Sequence, residues 1–310
     1  MTELVDIASL LLAGLLGMLV GGNNLSASSG TIIGSGMISK RSGILLAVVG
    51  YLLGLALEGP KLFKVREAFL PNETTVQVFI ILTATLLVFL GGELGKVPLS
   101  LSKTLTGTIV GVSLAAGAFQ RAGYLALILG YWFVAPLVAS GLGLFFVALD
   151  DRYSPKKLWL KLSVLKAGLL LVGFFSAYVS GSNTLGLIAG VPYNQTLAPT
   201  IAVGLGSVVG AFTLGRGAMR RLSEGIFSLR YPNAFFAQFV GAGTVELAIQ
   251  LGIPLSTTES VSSGIIGSGL ARKMRVMNAR NIFLIMTSWV VSPAVGFGAG
   301  YLLTQVLASV

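Results

Sequence analysis

The sequence predicts an all-α polytopic membrane protein built from two homologous repeats, expected to be inverted, with broken helices or hairpins among about 10–12 membrane elements. Three observations predict it. Only 10% of the 310 residues are charged while 54% are hydrophobic, and the mean hydropathy is +0.88; a soluble domain carries about 25% charged residues. Charges this sparse cannot keep such a chain in water, so lipid must solvate much of it. Eight apolar stretches approach the roughly 20 residues that cross a bilayer's hydrocarbon. The polar motifs between them occur twice, in the same order. The 41 glycines agree, because small residues let helices approach closely where lipid gives them no hydrophobic drive to associate.

At the start, Glu3 and Asp6 precede an apolar run from Ile7 to Val20. A secretory signal opens with basic residues, so this acidic start is read as a retained first span. Apolar stretches lie at 5–22, 42–57, 74–92, 123–148, 159–181, 196–215, 235–252 and 279–307. Four other segments, 23–37, 99–117, 183–192 and 254–271, embed Asn, Ser and Thr among apolar residues. Bare peptide groups are not tolerated against lipid, so these segments are expected as broken helices or hairpins lining an internal cavity.

The four segments form two matched pairs. Asn23 corresponds to Asn183, Pro98-Leu99-Ser100 to Pro254-Leu255-Ser256, and Trp132 with Pro136 to Trp289 with Pro293, at offsets of 160, 156 and 157 residues. Three ordered pairs at nearly one offset mark an internal duplication. The repeats are assigned to residues 1–150 and 159–310, joined by a polar linker at 151–158. If each repeat crosses the membrane an odd number of times, the second is inverted, and a ligand belongs near the midplane at the interrupted helices.

Charge and missing residue types narrow the chemistry. The net charge of +10 sits in short clusters between apolar stretches, such as Lys61 to Arg66 and Arg216 to Arg221. They read as positive-inside loops rather than a nucleic-acid surface, because no soluble basic domain remains once the spans are removed. The chain has no Cys and no His. That excludes disulfides, thiolate nucleophiles, His-ligated metals and His-centred acid–base catalysis. No cofactor is expected.

The first break runs from Gly21 to Thr31 and includes Asn23, Asn24, Ser26, Ser28 and Ser29. A half-helix beginning near Asn24 would aim free N–H groups and its positive dipole end into the protein. Hydroxyls around such an end bind an anion without a lysine. Ser and Gly also serve plain helix packing; the second copy at Ser182-Asn183-Thr184 favours binding. The second break, Pro98 to Thr104, and its twin, Pro254 to Ser260, set a Pro before hydroxyls, as suits half-helix starts. Lys103 and Glu259 share one place in the two copies with opposite charges. Charges at membrane depth are costly and point to function; the plainer alternative is a pair of interfacial side chains.

These motifs resemble the inorganic phosphate transporter (PiT) family of phosphate and sulfate permeases. Its hallmarks are a duplicated Gly-Ala-Asn-Asp-x-x-Asn-x-x-Gly segment, with Pro-x-Ser-Thr-Thr-His and Trp-x-x-Ser-Pro segments in each half. Asn23, Gly30, Thr31, Gly34 and Ser35 match the first, as do Gly181, Asn183 and Gly190 in the second copy. Pro254, Ser256, Thr257 and Thr258 match the second closely; Pro98, Ser100 and Ser102 match it loosely. Trp289, Ser292 and Pro293 match the third. The resemblance implies an integral protein of the cell membrane, not an enzyme, that carries an inorganic oxyanion by symport, with phosphate first and sulfate a close second.

The family's Asp is Asn24 in one copy and Thr184 in the other, its second Asn is Ala27 and Leu187, and its His is Lys103 and Glu259. A hard cation favours carboxylate oxygen, so these departures leave the coupling ion open between sodium and proton, and metal ligands unassigned. Substrate contacts are expected from Asn23, Asn24, Ser26, Ser28, Ser29, Asn183 and Thr184. Ser100, Ser102, Ser256, Thr257 and Thr258 are expected on the opposing side. Lys103 and Glu259 are expected to replace an external cation, with Glu259 as proton carrier. Two rivals are a passive anion channel and an intramembrane enzyme acting on lipid phosphates, the latter using Lys103 beside Ser100 or Ser102. The expected partners are the anion and the bilayer, with no nucleic acid; a homo-oligomer is left open.

Overall fold

The computed structural model describes residues 2–34, 38–95, 97, 99–153, 158–192, 195–215, 231–271 and 279–308. The basic clusters at 216–221 and 272–275, Pro98 and residues 154–157 of the expected linker lie outside them. All regular structure among the described residues is helical. The first repeat comprises α1 (Thr2–Asn23), α2 (Leu25–Gly34), α3 (Lys40–Leu57), a 3₁₀ turn (Gly59–Leu62), α4 (Lys64–Phe69), α5 (Thr75–Leu94), α6 (Leu101–Ala115) and α7 (Ala122–Tyr153). The second comprises α8 (Leu158–Ser180), a π turn (Gly181–Leu185), α9 (Gly186–Gly190), α10 (Ala198–Thr213), α11 (Tyr231–Gln250), α12 (Thr257–Ala271) and α13 (Ala279–Ala308). Residues 151–153, expected in the linker, form the last turn of α7.

Local signals account for the helix ends. Ser39 caps α3 by accepting the Ser42 N–H, and Thr74 with Gln77 forms a complete capping box on α5. Each such cap satisfies amides that have no partner inside the helix. The twin prolines Pro136 and Pro293 sit inside α7 and α13, where neighbouring helices make such interruptions tolerable.

Among the described residues, six helical stretches are long and apolar enough to cross a membrane: Glu3–Gly30, Lys40–Leu57, Thr75–Leu94, Ala122–Tyr153, Ser163–Gly190 and Met286–Leu307. Their outer faces expose Leu11, Leu137 and Leu171 by 65%, 73% and 71%, as suits lipid rather than water. The polar segments at α6 and the π turn lie inside. Every residue of α6 from Leu101 to Ser113 is buried, as is the whole run from Gly181 to Gly190.

The repeats are interleaved by exchange. Helix α1 packs on α10 while its counterpart α8 packs on α3; α6 packs on α13 while its counterpart α12 packs on α7. Glycine permits this closeness. A Cβ at Gly107 or Gly111 of α6 would fall on the carbonyl oxygens of Pro293 or Phe297, so no side chain fits there. Gly111→Val is therefore expected to lower the melting temperature of the detergent-purified protein, overpacking being worth about 1–3 kcal/mol. Gly130→Ala in α7, with nothing within 4 Å of the added Cβ, should leave it unchanged or raised. Equal melting temperatures for Gly111→Val and the unmodified protein would contradict the packing account.

Candidate functional site

The starts of α6 and α12 converge on one cleft with the α1–α2 bend and the π turn. Asn23, Asn24, Ser100, Ser102, Thr184, Ser256, Thr257 and Thr258 line it, with Val20, Phe89, Leu99 and Leu101 as its apolar part. Ser100 begins α6 in an extended conformation and its side chain makes no cap. Its N–H donates instead to Ser292 Oγ at 2.9 Å. The first bond inside α6 is Thr104 N–H to Ser100 O, so the amides of Leu101, Ser102 and Lys103 precede the ladder. In α12 the Ser256 Oγ accepts the Glu259 N–H at 3.3 Å. The Thr257 Oγ1 is buried and has no hydrogen-bond partner among the described residues. About 20 Å³ is open to water centres, room for little more than one water.

Asn183 lies behind this lining rather than in it. It is fully buried, and its amide closes a two-point bond on one residue: Nδ2 donates to Leu255 O at 2.5 Å and Oδ1 accepts Leu255 N–H at 3.1 Å. It acts as a surrogate peptide that holds the extended residues before α12. Nδ2 also lies 3.3 Å from both Ser102 Oγ and Thr184 Oγ1, which hydrogen-bond each other at 3.1 Å.

The first break departs from expectation. Asn24 is a single turn residue between α1 and α2, yet Asn24 N–H bonds to Val20 O at 2.8 Å and Ser28 N–H to Asn24 O at 3.1 Å. These two bonds flank the break, with Asn24 itself outside both helices. The π turn at Gly181–Leu185 is the counterpart in the second repeat; such a turn inserts a residue without ending the helix. Ser28 and Ser29 turn away from the cleft, Ser28 Oγ to the Tyr51 hydroxyl at 3.1 Å and Ser29 Oγ to Gly43 O at 3.1 Å. Ser26 falls within α2, and its side chain lies outside the described residues.

Lys103 and Glu259 meet behind the cleft. Lys103 Nζ lies 2.6 Å from Glu259 Oε2, with the two residues 2% and 6% exposed. The ammonium stands 5.2 Å from the ring centre of Trp132 and 5.7 Å from that of Trp289, within cation–π range of both. Trp132 Nε1 donates to Pro254 O at 2.8 Å. In the sequence these tryptophans served only as repeat markers; the signal for more was their offset, which is within one residue of that between Lys103 and Glu259. No group of three or more His, Cys, Asp or Glu that could hold a metal occurs among the described residues.

Comparison with known proteins now decides the family. The model of the phosphate transporter family matches residues 20–189 and again 151–297. The chain belongs to the phosphate transporter family. The sulfate permease CysP of Bacillus subtilis (strain 168) is 29% identical over 97% of this chain and 88% of its own length. A protein of Methanocaldococcus jannaschii that bears the name of a phosphate permease is 23% identical over 93% of each chain. A solved structure titled as the sodium-dependent phosphate transporter superposes with a TM-score of 0.85, covering 99% of both chains at 18% identity, so the fold is shared. Family membership and the six apolar helices together make the chain an integral membrane protein.

Within this family fold, the Asn183 brace yields a direct expectation. Asn183→Ala strands the Leu255 N–H and C=O, at about 1–3 kcal/mol for each buried group left unsatisfied. Hydrogen exchange of a peptide covering residues 251–260 should quicken relative to the unmodified protein. Unchanged protection there would show that Asn183 does not hold the start of α12.

Proposed function

We propose that the chain is a secondary transporter of a tetrahedral inorganic oxyanion, bound where α6 and α12 begin, with the two repeats inverted about that site. One observation carries the reading. Two helices begin at a cleft whose described lining holds hydroxyls and amides and no carboxylate, while the Thr257 hydroxyl is buried there and unpartnered among the described residues. Neutral donors at positive helix ends replace an anion's water without a fixed opposing charge.

The lining bears on which oxyanion. Phosphate near neutral pH carries a proton and is matched by a site with a strong acceptor; sulfate carries none and needs only donors. Asn24 and Thr184 stand where the family has aspartates, and both line the cleft. Sulfate therefore fits at least as well as phosphate, in line with the name of the Bacillus subtilis relative.

Asymmetry between twins supports a carrier rather than an open pore. Ser102 is 3% exposed and bonded to Thr184, whereas its counterpart Thr258 is exposed. Two near-equivalent repeats held in unlike surroundings imply a second arrangement in which the roles exchange. Lys103, which a lipid-phosphate enzyme would need as base, is instead committed to Glu259.

The test uses purified protein in proteoliposomes with labelled sulfate and phosphate in competition. Saturable uptake against a concentration gradient is expected, with Ser102→Ala and Thr257→Val each weakening apparent affinity by about tenfold, as for loss of a hydrogen bond to a charged group. Strictly downhill, non-saturating flux would favour a channel. Release of product from a lipid phosphate would favour the enzyme.

A further inference from the structure

The pair of Lys103 and Glu259 has properties that an ordinary structural salt bridge does not need. Each charge is the other's counterpart under the repeat: Lys103 is the third residue of α6, and Glu259 the third of α12. Acids are favoured in the first turn of a helix and cations disfavoured, so Lys103 stands against the usual preference. It places a positive charge in the first turn of a helix whose opening residues line the cleft. The charge is flanked by one tryptophan from each repeat, which places it between the halves. A buried pair kept for stability alone is expected to saturate its oxygens, yet Glu259 Oε1 has no hydrogen-bond partner among the described residues.

The cleft in front of this pair is poor in ligands for a dissolved cation. Hard cations prefer carboxylate oxygens, the cleft's described lining offers none, and Glu259 is already engaged by Lys103. We propose that the Lys103 ammonium is a resident counter-cation, held between the repeats by Glu259, Trp132 and Trp289, which supplies the positive charge that a dissolved sodium ion would bring to the bound anion. Anion uptake then has no sodium requirement. This rests on the oxyanion reading above.

The full chain in proteoliposomes provides the test. Initial uptake of labelled sulfate and phosphate is measured under a fixed pH gradient, with sodium present or replaced by choline on both sides. Equal rates are expected. Lys103→Ala and Glu259→Gln should each lower uptake by at least about tenfold, the consequence of stranding one member of a buried pair. Two readouts separate a resident cation from a merely structural bridge. Methylammonium or sodium should partly restore Lys103→Ala, and the swapped double variant Lys103→Glu with Glu259→Lys should exceed either single variant, because the repeat makes the two positions interchangeable. All variants are compared as monodisperse protein in detergent. Sodium-dependent uptake by the unmodified protein overturns this proposal alone. So does a swapped variant that stays monodisperse yet as inactive as the singles, with no rescue of Lys103→Ala. Failure of the unmodified protein to take up either anion removes the oxyanion reading and this proposal with it.

Discussion

Peptide groups cannot be left bare in hydrocarbon, yet neutral anion binding depends on peptide N–H groups that no helix has consumed. The architecture meets both demands by moving the interrupted backbone away from lipid. Helix α6 is buried along Leu101 to Ser113 and lies so close to α13 that Gly107 and Gly111 have no room for a side chain. Longer helices such as α1, α7 and α8 carry the lipid-facing leucines instead. The exchange of partners between repeats comes from the same demand, since each short polar helix is covered by a long helix of the other half.

Cross-repeat contacts also fix the helix starts. Trp132 of the first repeat holds Pro254 O of the second, and Ser292 of the second accepts Ser100 N–H of the first. Asn183 anchors Leu255 within its own repeat while touching Ser102 of the other. The two starts are thus tied to each other's repeat by hydrogen bonds. Ala135 stands where Ser292 has its counterpart, so the two supports are unlike in chemistry although alike in place. That difference agrees with the unlike exposure of Ser102 and Thr258.

Much of this architecture was legible in the sequence. The four polar interruptions, their pairing and the shared place of Lys103 and Glu259 emerge from residue types and a single offset. The features that were not legible depend on angles. One turn residue at Asn24 separates α2 from α1, and each helical residue turns the next side chain by about 100°; Ser28 and Ser29 face Tyr51 and Gly43 rather than the cleft. Asn183 reads as a ligand from its type, but a buried amide satisfies a backbone N–H and C=O equally well. Nor does a repeat disclose which copy packs on which, since α6 against α7 and α6 against α13 have similar apolar patterns.

Binding and driving are separable in such a site. A paired Lys103 and Glu259 leave the empty cleft with no net buried charge, which limits the cost of rearrangement without substrate. On the proposed reading, an oxyanion at the cleft would be favoured electrostatically by the ammonium and the helix starts. A charge fixed to the protein does not travel with the substrate, however, and does no net work over a transport cycle. Each negative charge carried toward a negative interior opposes about 2.3 kcal/mol per 100 mV, so accumulation of an oxyanion requires a positive charge that crosses with it. On the proposal that Lys103 takes the cation's place, a proton would be the mobile charge, and Glu259, whose Oε1 has no hydrogen-bond partner among the described residues, would be the acceptor beside the resident ammonium.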